Sequence, residues 1–318
     1  MQQIFSRLSQ QFLQRLKLIV PPNKYQSVLN SYLEKRPITI RVNTLKTNSR
    51  KLRDELLQKG IKMQVVSWNP NTFILPEASL HDLTKLDLYN SGYFYVQSLS
   101  SQIPPLILLP KPGETILDIA AAPGSKTTQM GALMQNKGKI FANDTNPIRL
   151  DKLKYNLGIQ GVTNTETITK YPNQIERDYP DIFDKVLADV PCSGEGKIFL
   201  KDPKSLGGWS EKKIRGFAKI QKDILKAAIT ATKPGGKIVY STCTLSPEEN
   251  EEVINETLTK FSGKLTVEKI YIPGLSVTNA LTKWNNVNFY PSIQNAIRIL
   301  PSDLMEGFFV ASLRKLRS

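Results

Sequence analysis

Sulfur is scarce in this chain. It has two cysteines in 318 residues, together with a single histidine. So few thiols argue against a secreted disulfide scaffold. No apolar run approaches the ~18–20 residues needed to span a bilayer, and the opening MQQIFSRLSQQFLQRLKLIV mixes charge with apolar residues rather than forming a signal peptide. A soluble, cytoplasmic protein is expected. The G-x-G-x-x-G fingerprint and the G-x-x-x-x-G-K-[ST] phosphate loop are both missing, so neither a dinucleotide nor a nucleoside triphosphate is directly indicated. There is no internal repeat and no low-complexity tract, and the cysteines lack the C-x-x-C spacing of a redox motif.

Positive charge is abundant, at a net +15. It is unevenly spread: residues 1–70 hold thirteen Lys/Arg against three Asp/Glu, a net of +10, and the other 248 residues carry only +5. A basic module beside a nearly balanced one points to a polyanion, most often nucleic acid, with a solubilising surface as the plainer alternative. Apolar residues at helical spacing (Phe5, Leu8, Phe12, Leu16, Ile19) predict a helix within 1–33, stopped by Pro21-Pro22. ITIRVNTL reads as a strand and SRKLRDELLQKG as a helix closed by Gly60. MQVVSW and NTFIL read as strands around an Asn69-Pro70-Asn71 turn. These make a basic α+β unit over residues 1–100, leaving 101–318 as a second domain.

From about residue 105, strand and helix alternate, the signature of a parallel sheet. TILDIA, KIFAND, TETIT, KVLADV and KPGGKIVYST are the strand candidates. LTVEKI and GFFVASLRK look like final strands, and a long helix is expected after Ser210. Ser246, Pro247 and Glu249 predict a capped helix start. Both cysteines follow strands: Cys192 ends KVLADVPC and Cys243 ends GGKIVYSTC. In an open α/β sheet, ligands bind at the carboxyl ends of the strands. The thiols therefore read as catalysts, as a redox pair or as small buried hydrophobes. For Cys243, a helix N-terminus and nearby lysines would favour the nucleophilic thiolate. LDIAAAPGSKTTQ lets a ligand approach the backbone, and Asp144, about twenty residues further on, suits ribose hydroxyls.

Four segments in order, AAPGSKT, AND, DVPCSGEG and YSTCTLSPEENE, are similar to the Sun/Fmu-type (Nol/Nop/Sun) RNA cytosine-5 methyltransferases. RVNTLK, GYFYVQSLSS and RILP…GFFVASLRK extend the resemblance from about residue 36 to the C-terminus. It implies an α/β fold: a Rossmann-like class I methyltransferase sheet, mostly parallel and of seven strands, with a smaller N-terminal α+β RNA-binding domain. It implies S-adenosylmethionine as cofactor and RNA, transfer or ribosomal, as partner. A monomer with no metal and no membrane contact is expected. The chain ends at GFFVASLRKLRS, a compactness similar to the transfer-RNA-type members.

By that resemblance Cys243 attacks carbon 6 of cytosine, making carbon 5 nucleophilic. Asp189 bonds the ring near nitrogen 3, and Lys126 orients the base and Asp189. Cys192 assists release of the adduct, and Pro191 shapes the loop. Ala120, Ala121, Ala122, Pro123, Gly124, Ser125, Lys126, Asp144, Arg149 and Asp189 form the cofactor set. Arg41, Asn43, Lys46 and Arg50 are the RNA-binding candidates, each of which also reads as part of a solvated face. Deleting residues 1–100 is expected to remove RNA binding. Tyr93, Phe94, Tyr95 and Trp209 are candidates for base stacking or for core packing.

The sequence departs from the family pattern at four places. Ala120 and Ser125 replace a usual Cys and Gly, Pro172-Asn173 stand where an Asp-Gly is common, and Ser302 replaces a frequent His. The adenine contact is thereby left open. The competing readings are an inactive RNA-binding assembly factor and a small-molecule methyltransferase.

Overall fold

The computed structural model describes residues 5–317. Residues 1–4, at the start of the expected first helix, lie outside them. The first described helix, α1 (Gln10–Ile19), is capped by Ser9, whose hydroxyl accepts from the Phe12 amide at 3.1 Å. Pro21-Pro22 end the run because proline offers no N–H to continue it, and α2 (Tyr25–Ser31) follows. The apolar face of α1 packs on the larger unit. Phe12 meets Trp209 edge-on at 5.4 Å, and Arg15 pairs with Glu248 at 2.7 Å.

The small sheet comprises β1 (Ile38–Val42), β2 (Gln64–Val66), β3 (Asn69–Leu75) and β4 (Phe94–Val96), in the order β2-β3-β1-β4, all antiparallel. Helix α3 (Ser49–Gln58) covers it with Leu52 and Leu56, and Gly60 closes the helix at φ +75°. The hairpin differs from expectation. Ser67-Trp68 make the turn, and Asn69-Pro70-Asn71 belong to β3. The register shifts at Val65/Val66, opposite Pro70, so the proline lies where no ladder donor is needed. Two short helices, α4 (Leu80–Thr84) and α5 (Asp87–Asn90), precede β4.

The larger unit starts with α6 (Leu99–Leu108) and then alternates. Its parallel part is β5 (Thr115–Asp118), α7 (Ser125–Leu133), β6 (Lys139–Asn143), α8 (Pro147–Gln160), β7 (Thr165–Ile168), α9 (Pro172–Asp178), β8 (Phe183–Asp189), α10 (Glu211–Ala231) and β9 (Thr232–Thr242). After α11 (Glu251–Lys260) come β10 (Leu265–Glu268), β11 (Thr278–Asn279), the hairpin β12 (Lys283–Trp284) and β13 (Val287–Asn288), β14 (Ile297–Ile299) and β15 (Phe308–Lys315). Seven strands run β14-β15-β9-β8-β5-β6-β7, with β10 and the two-residue β11 attached at the antiparallel end, giving nine. The pairings from β9 to β7 are parallel.

Alternation puts Ile116, Leu187 and Val239 on one face with Met130 and Met134. Leu117, Val186 and Tyr240 lie on the other, with Leu225 and Ile229 of α10. Burial on both faces is what a parallel sheet requires. Because β5, β6, β8 and β9 are parallel, their carboxyl ends share one edge, and the sheet reverses order beside β5, where such folds bind ligands.

Candidate active site

Cys192 and Cys243 come together at this edge, with free sulfurs 2.7 Å apart. The register explains why: Asp189 of β8 is opposite Ser241 of β9, so the two loops leave the sheet side by side. Buried carboxylates then tie each loop to the other. Glu195, from the Cys192 loop, accepts from the Thr244 and Ser246 hydroxyls at 3.1 and 2.9 Å and from the Leu245 amide at 3.2 Å. Glu249, beyond the Cys243 loop, accepts from the Ser193 amide at 2.9 Å and from Gln221 at 2.8 Å. Burial pushes the Glu249 carboxyl up to about 7. The expected capping box is therefore not formed. Glu249 faces Ser193, the Ser246 hydroxyl donates to Glu195, and α11 starts only at Glu251.

The two thiols have different electrostatics. The Cys192 thiol is pushed up, first by its bond to Cys243 and then by burial. Cys243 is pulled below its ordinary value: the bond from Cys192 contributes most, burial opposes it, and the Lys197 charge adds to the lowering. The α-helix expected just after Cys243, α11, starts only at Glu251, and the cation that lowers the thiol is Lys197.

Lys126, from the first turn of α7, forms an ion pair with Asp189 at 2.6 Å and donates to Ser101 at 2.8 Å. The other Asp189 oxygen accepts from Ser241 at 2.7 Å. Lys126, Asp189 and Ser101 line a cavity of about 490 Å³ with Tyr95, Asp118, Pro191, both cysteines, Lys197, Glu306 and Phe308. Asp118 is buried and bonded to the Thr127 hydroxyl at 2.7 Å, and burial pushes its carboxyl up to about 7.

The same cavity takes in Ala120, Ala121, Ala122, Pro123 and Ser125. Gly124 caps α7 at φ +105°, and a side chain there would meet Leu153 at 2.8 Å. Asp144 is buried at 4% exposure. One of its oxygens accepts from the Asn146 amide at 3.0 Å; the other lies 3.3 Å from Arg149 Nη1 yet has no hydrogen-bond partner. Arg149 also donates to the Ala122 carbonyl at 2.5 Å. A ribose diol supplies the donors that this orphaned acceptor lacks. Beside it lies a cavity of about 220 Å³, walled by Tyr171, Pro172, Ile175, Ile220 and Ile224. An adenine ring fits such apolar walls, and Asn173 is not among them. The residues present fit S-adenosylmethionine.

The RNA-binding candidates divide. Arg41 is buried, donates to the Ser125 carbonyl at 2.7 Å and to Thr128 at 3.0 Å, and is lowered by burial to about 9. Asn43 is buried and donates to the Gly92 and Gln160 carbonyls at 2.8 Å each. Neither is presented to a phosphate; both join the small sheet to α7 and α8. Lys46 is exposed but donates to the Ser91 and Ile159 carbonyls, whereas Arg50 is exposed on α3. Of the aromatics, Tyr95 reaches the cavity, Phe94 and Tyr93 belong to the small core, and Trp209 donates to Glu195 at 2.6 Å. Lys197, Glu306, Ser101, Asp118, Glu195 and Glu249 were not foreseen as site residues. The only sequence signal for the two lysine and glutamate neighbours of Cys192 was their place within GEGK, just past the thiol.

The fold and site define a class I S-adenosylmethionine-dependent methyltransferase carrying a thiol pair. Comparison with known proteins narrows this. The family described as 16S rRNA methyltransferase RsmB/F matches residues 105–314, and the N-terminal domain of 16S rRNA methyltransferase RsmF matches 8–99. The tRNA (cytosine(49)-C(5))-methyltransferase of Pyrococcus abyssi is 37% identical, over 98% of both chains. Ribosomal RNA small subunit methyltransferase F of Shewanella amazonensis is 35% identical over 98% of this chain, which spans only 65% of that protein. A methyltransferase homolog protein from Pyrococcus horikoshii superposes at TM-score 0.83, with 31% identity over 99% of both chains. NSun6 from the same organism, solved with SFG, superposes at 0.81 with 25% identity over 98% of this chain and 99% of that one. The chain belongs to the RsmB/F family of RNA cytosine-C5 methyltransferases.

Proposed function

We propose that this protein methylates carbon 5 of a cytosine in transfer or ribosomal RNA through a covalent bond between Cys243 and carbon 6 of the base. The observation that carries the reading is the asymmetric thiol pair beside the Lys126–Asp189 ion pair, at 2.7 and 2.6 Å respectively. Carbon 5 of cytosine is a poor nucleophile, and thiolate addition at carbon 6 makes it enamine-like. Cys243, the thiol pulled down, is the attacker. S-adenosylmethionine, when bound, supplies the methyl group. Asp189, held by Lys126 and Ser241, hydrogen-bonds the base near nitrogen 3 and stabilises the charge that attack creates. Cys192, the thiol pushed up, stays protonated and assists release: water takes the carbon 5 proton, the freed electron pair re-forms the 5,6 double bond, and Cys243 leaves as a thiolate that the Cys192 thiol hydrogen-bonds. Pro191 shapes the wall between the thiols and the cofactor cavity.

Asp144, with Arg149 beside it, receives the ribose, and residues 120–125 face the rest of the cofactor. The basic small unit holds phosphates without reading sequence, and the target base leaves its stack to enter the cavity. The protein acts as a cytoplasmic monomer without a metal. The test is tritium transfer from labelled S-adenosylmethionine to separated tRNA and rRNA, followed by bisulfite mapping with and without the gene. Label recovered in 5-methylcytosine supports the reading; no label in either RNA class overturns it and favours the inactive assembly factor.

A further inference from the structure

We propose that Lys197 is the positioning cation that holds Cys243 as a thiolate before RNA arrives; this rests on Cys243 being the attacking thiol. Three cations line the cavity: Lys126, Arg149 and Lys197. Two are already engaged, Lys126 by Asp189 and Ser101, and Arg149 by Asp144 and the Ala122 carbonyl. The Lys197 ammonium has no hydrogen bond or ion pair of its own among the described residues, and it is solvent-accessible where it lines the cavity.

Its backbone is fixed relative to the thiol. The preceding residue, Gly196, donates its amide to the Cys243 carbonyl at 3.0 Å and accepts from the Gly307 amide at 2.9 Å. A side chain at Gly196 would meet the Gly307 carbonyl at 1.9 Å, so the Lys197 segment, the Cys243 loop and the Glu306 loop pass through one close backbone crossing. The groups that face Cys243 are Cys192, Asp189 with its partner Lys126, Asp118, Lys197 and Glu306, with Glu249 acting on Cys192 from behind. Burial and two carboxylates, Asp189 and Glu306, oppose a thiolate there, and Lys126 is already paired. Lys197 is the cation left to offset them. Its own affinity for a proton is raised, with Cys243 the largest cause.

The experiment is alkylation of the full chain by iodoacetamide across a pH series, without RNA or S-adenosylmethionine, followed by mass spectrometry of the Cys243 peptide. The midpoint is the quantity to read, because a less acidic thiol also gives a more nucleophilic thiolate and rates alone would understate the change. Lys197→Met is expected to move the midpoint up by about one pH unit, a roughly tenfold smaller thiolate fraction below it. Lys197→Arg is expected to return it toward wild type. An unchanged midpoint in Lys197→Met overturns the proposal, as does a Lys197→Arg midpoint displaced equally far. A loss confined to KM for RNA with the midpoint unchanged assigns the lysine to a phosphate and also overturns it. If Cys243 is not the attacker, the Cys192→Ala enzyme accumulates no RNA adduct on Cys243, a result separate from the alkylation midpoint.

Discussion

Two cysteines of identical chemistry reach the cavity with opposite tendencies. The environment separates them: the bond between the two thiols raises Cys192 and lowers Cys243, with Glu249 adding to the first shift and Lys197 to the second. Cys243→Ser is expected to abolish turnover. Cys192→Ala is expected to accumulate an RNA–protein adduct that survives a denaturing gel; turnover at the wild-type rate without an adduct would remove Cys192 from the release step. The orphaned oxygen of Asp144 gives a second prediction at this scale. Asp144→Ala removes a charged hydrogen-bond acceptor contributing about 1.5–3 kcal/mol. Binding of S-adenosylmethionine is therefore expected to weaken roughly tenfold to a hundredfold. Calorimetric titration of the variant checks this.

Between β8 and α10, and between β9 and α11, the chain builds two loops that neither strand could position alone. Glu195 and Glu249 cross-link them, and Arg298 fastens the second loop to β14 by donating to the Leu245 carbonyl at 2.8 Å while paired with buried Glu251. Glu249 gives this cluster a pH dependence. Its folded value of about 7 lies above its ordinary 4.5, so the folded state binds more protons between these values. Stability from this group is full below about pH 4.5 and is lost as pH rises through about 7. The loss is at most about 3 kcal/mol at 1.36 kcal/mol per unit. Glu249→Gln keeps an acceptor for Ser193 but cannot ionise. It is expected to melt above wild type at pH 8, with the gap closing by pH 4–5. Parallel melting curves at every pH would contradict the assignment.

At the scale of the whole molecule, the two units pack against each other across the boundary at residue 100. Helix α1 supplies Phe12, Leu16 and Ile19 to the core of the larger unit, and Arg41 joins β1 to α7. Deleting residues 1–100 would strip that core, so the deletion expected from charge alone to abolish RNA binding is now expected to abolish the fold as well, as soluble yield and circular dichroism would show. A charge test is cleaner. RNA affinity is expected to fall steeply with salt, and Arg50→Ala to lower the slope of log K against log salt by about one or less. Filter binding from low to moderate salt measures both. A flat salt response would count against the basic unit as the phosphate contact.

Sequence by itself determined the strand–helix alternation, the two strand-end thiols and the candidate cofactor acid Asp144. Those signals are local: apolar periodicity, small-residue turns and the residue ending a strand. The hairpin turn was misplaced by two residues because Pro70 reads as a turn former until a bulge gives it a position without a ladder bond. Arg41 and Asn43 read as surface because polarity alone does not show which polar groups an interface buries. Tertiary structure alone decided that Cys192 and Cys243, 51 residues apart, touch, since only the pairing of Asp189 with Ser241 aligns their loops. It also decided that Lys197 lines the cavity with Cys243, while α11 starts only at Glu251. Charges act through space, and which ones share a cavity is set by how distant strands pack.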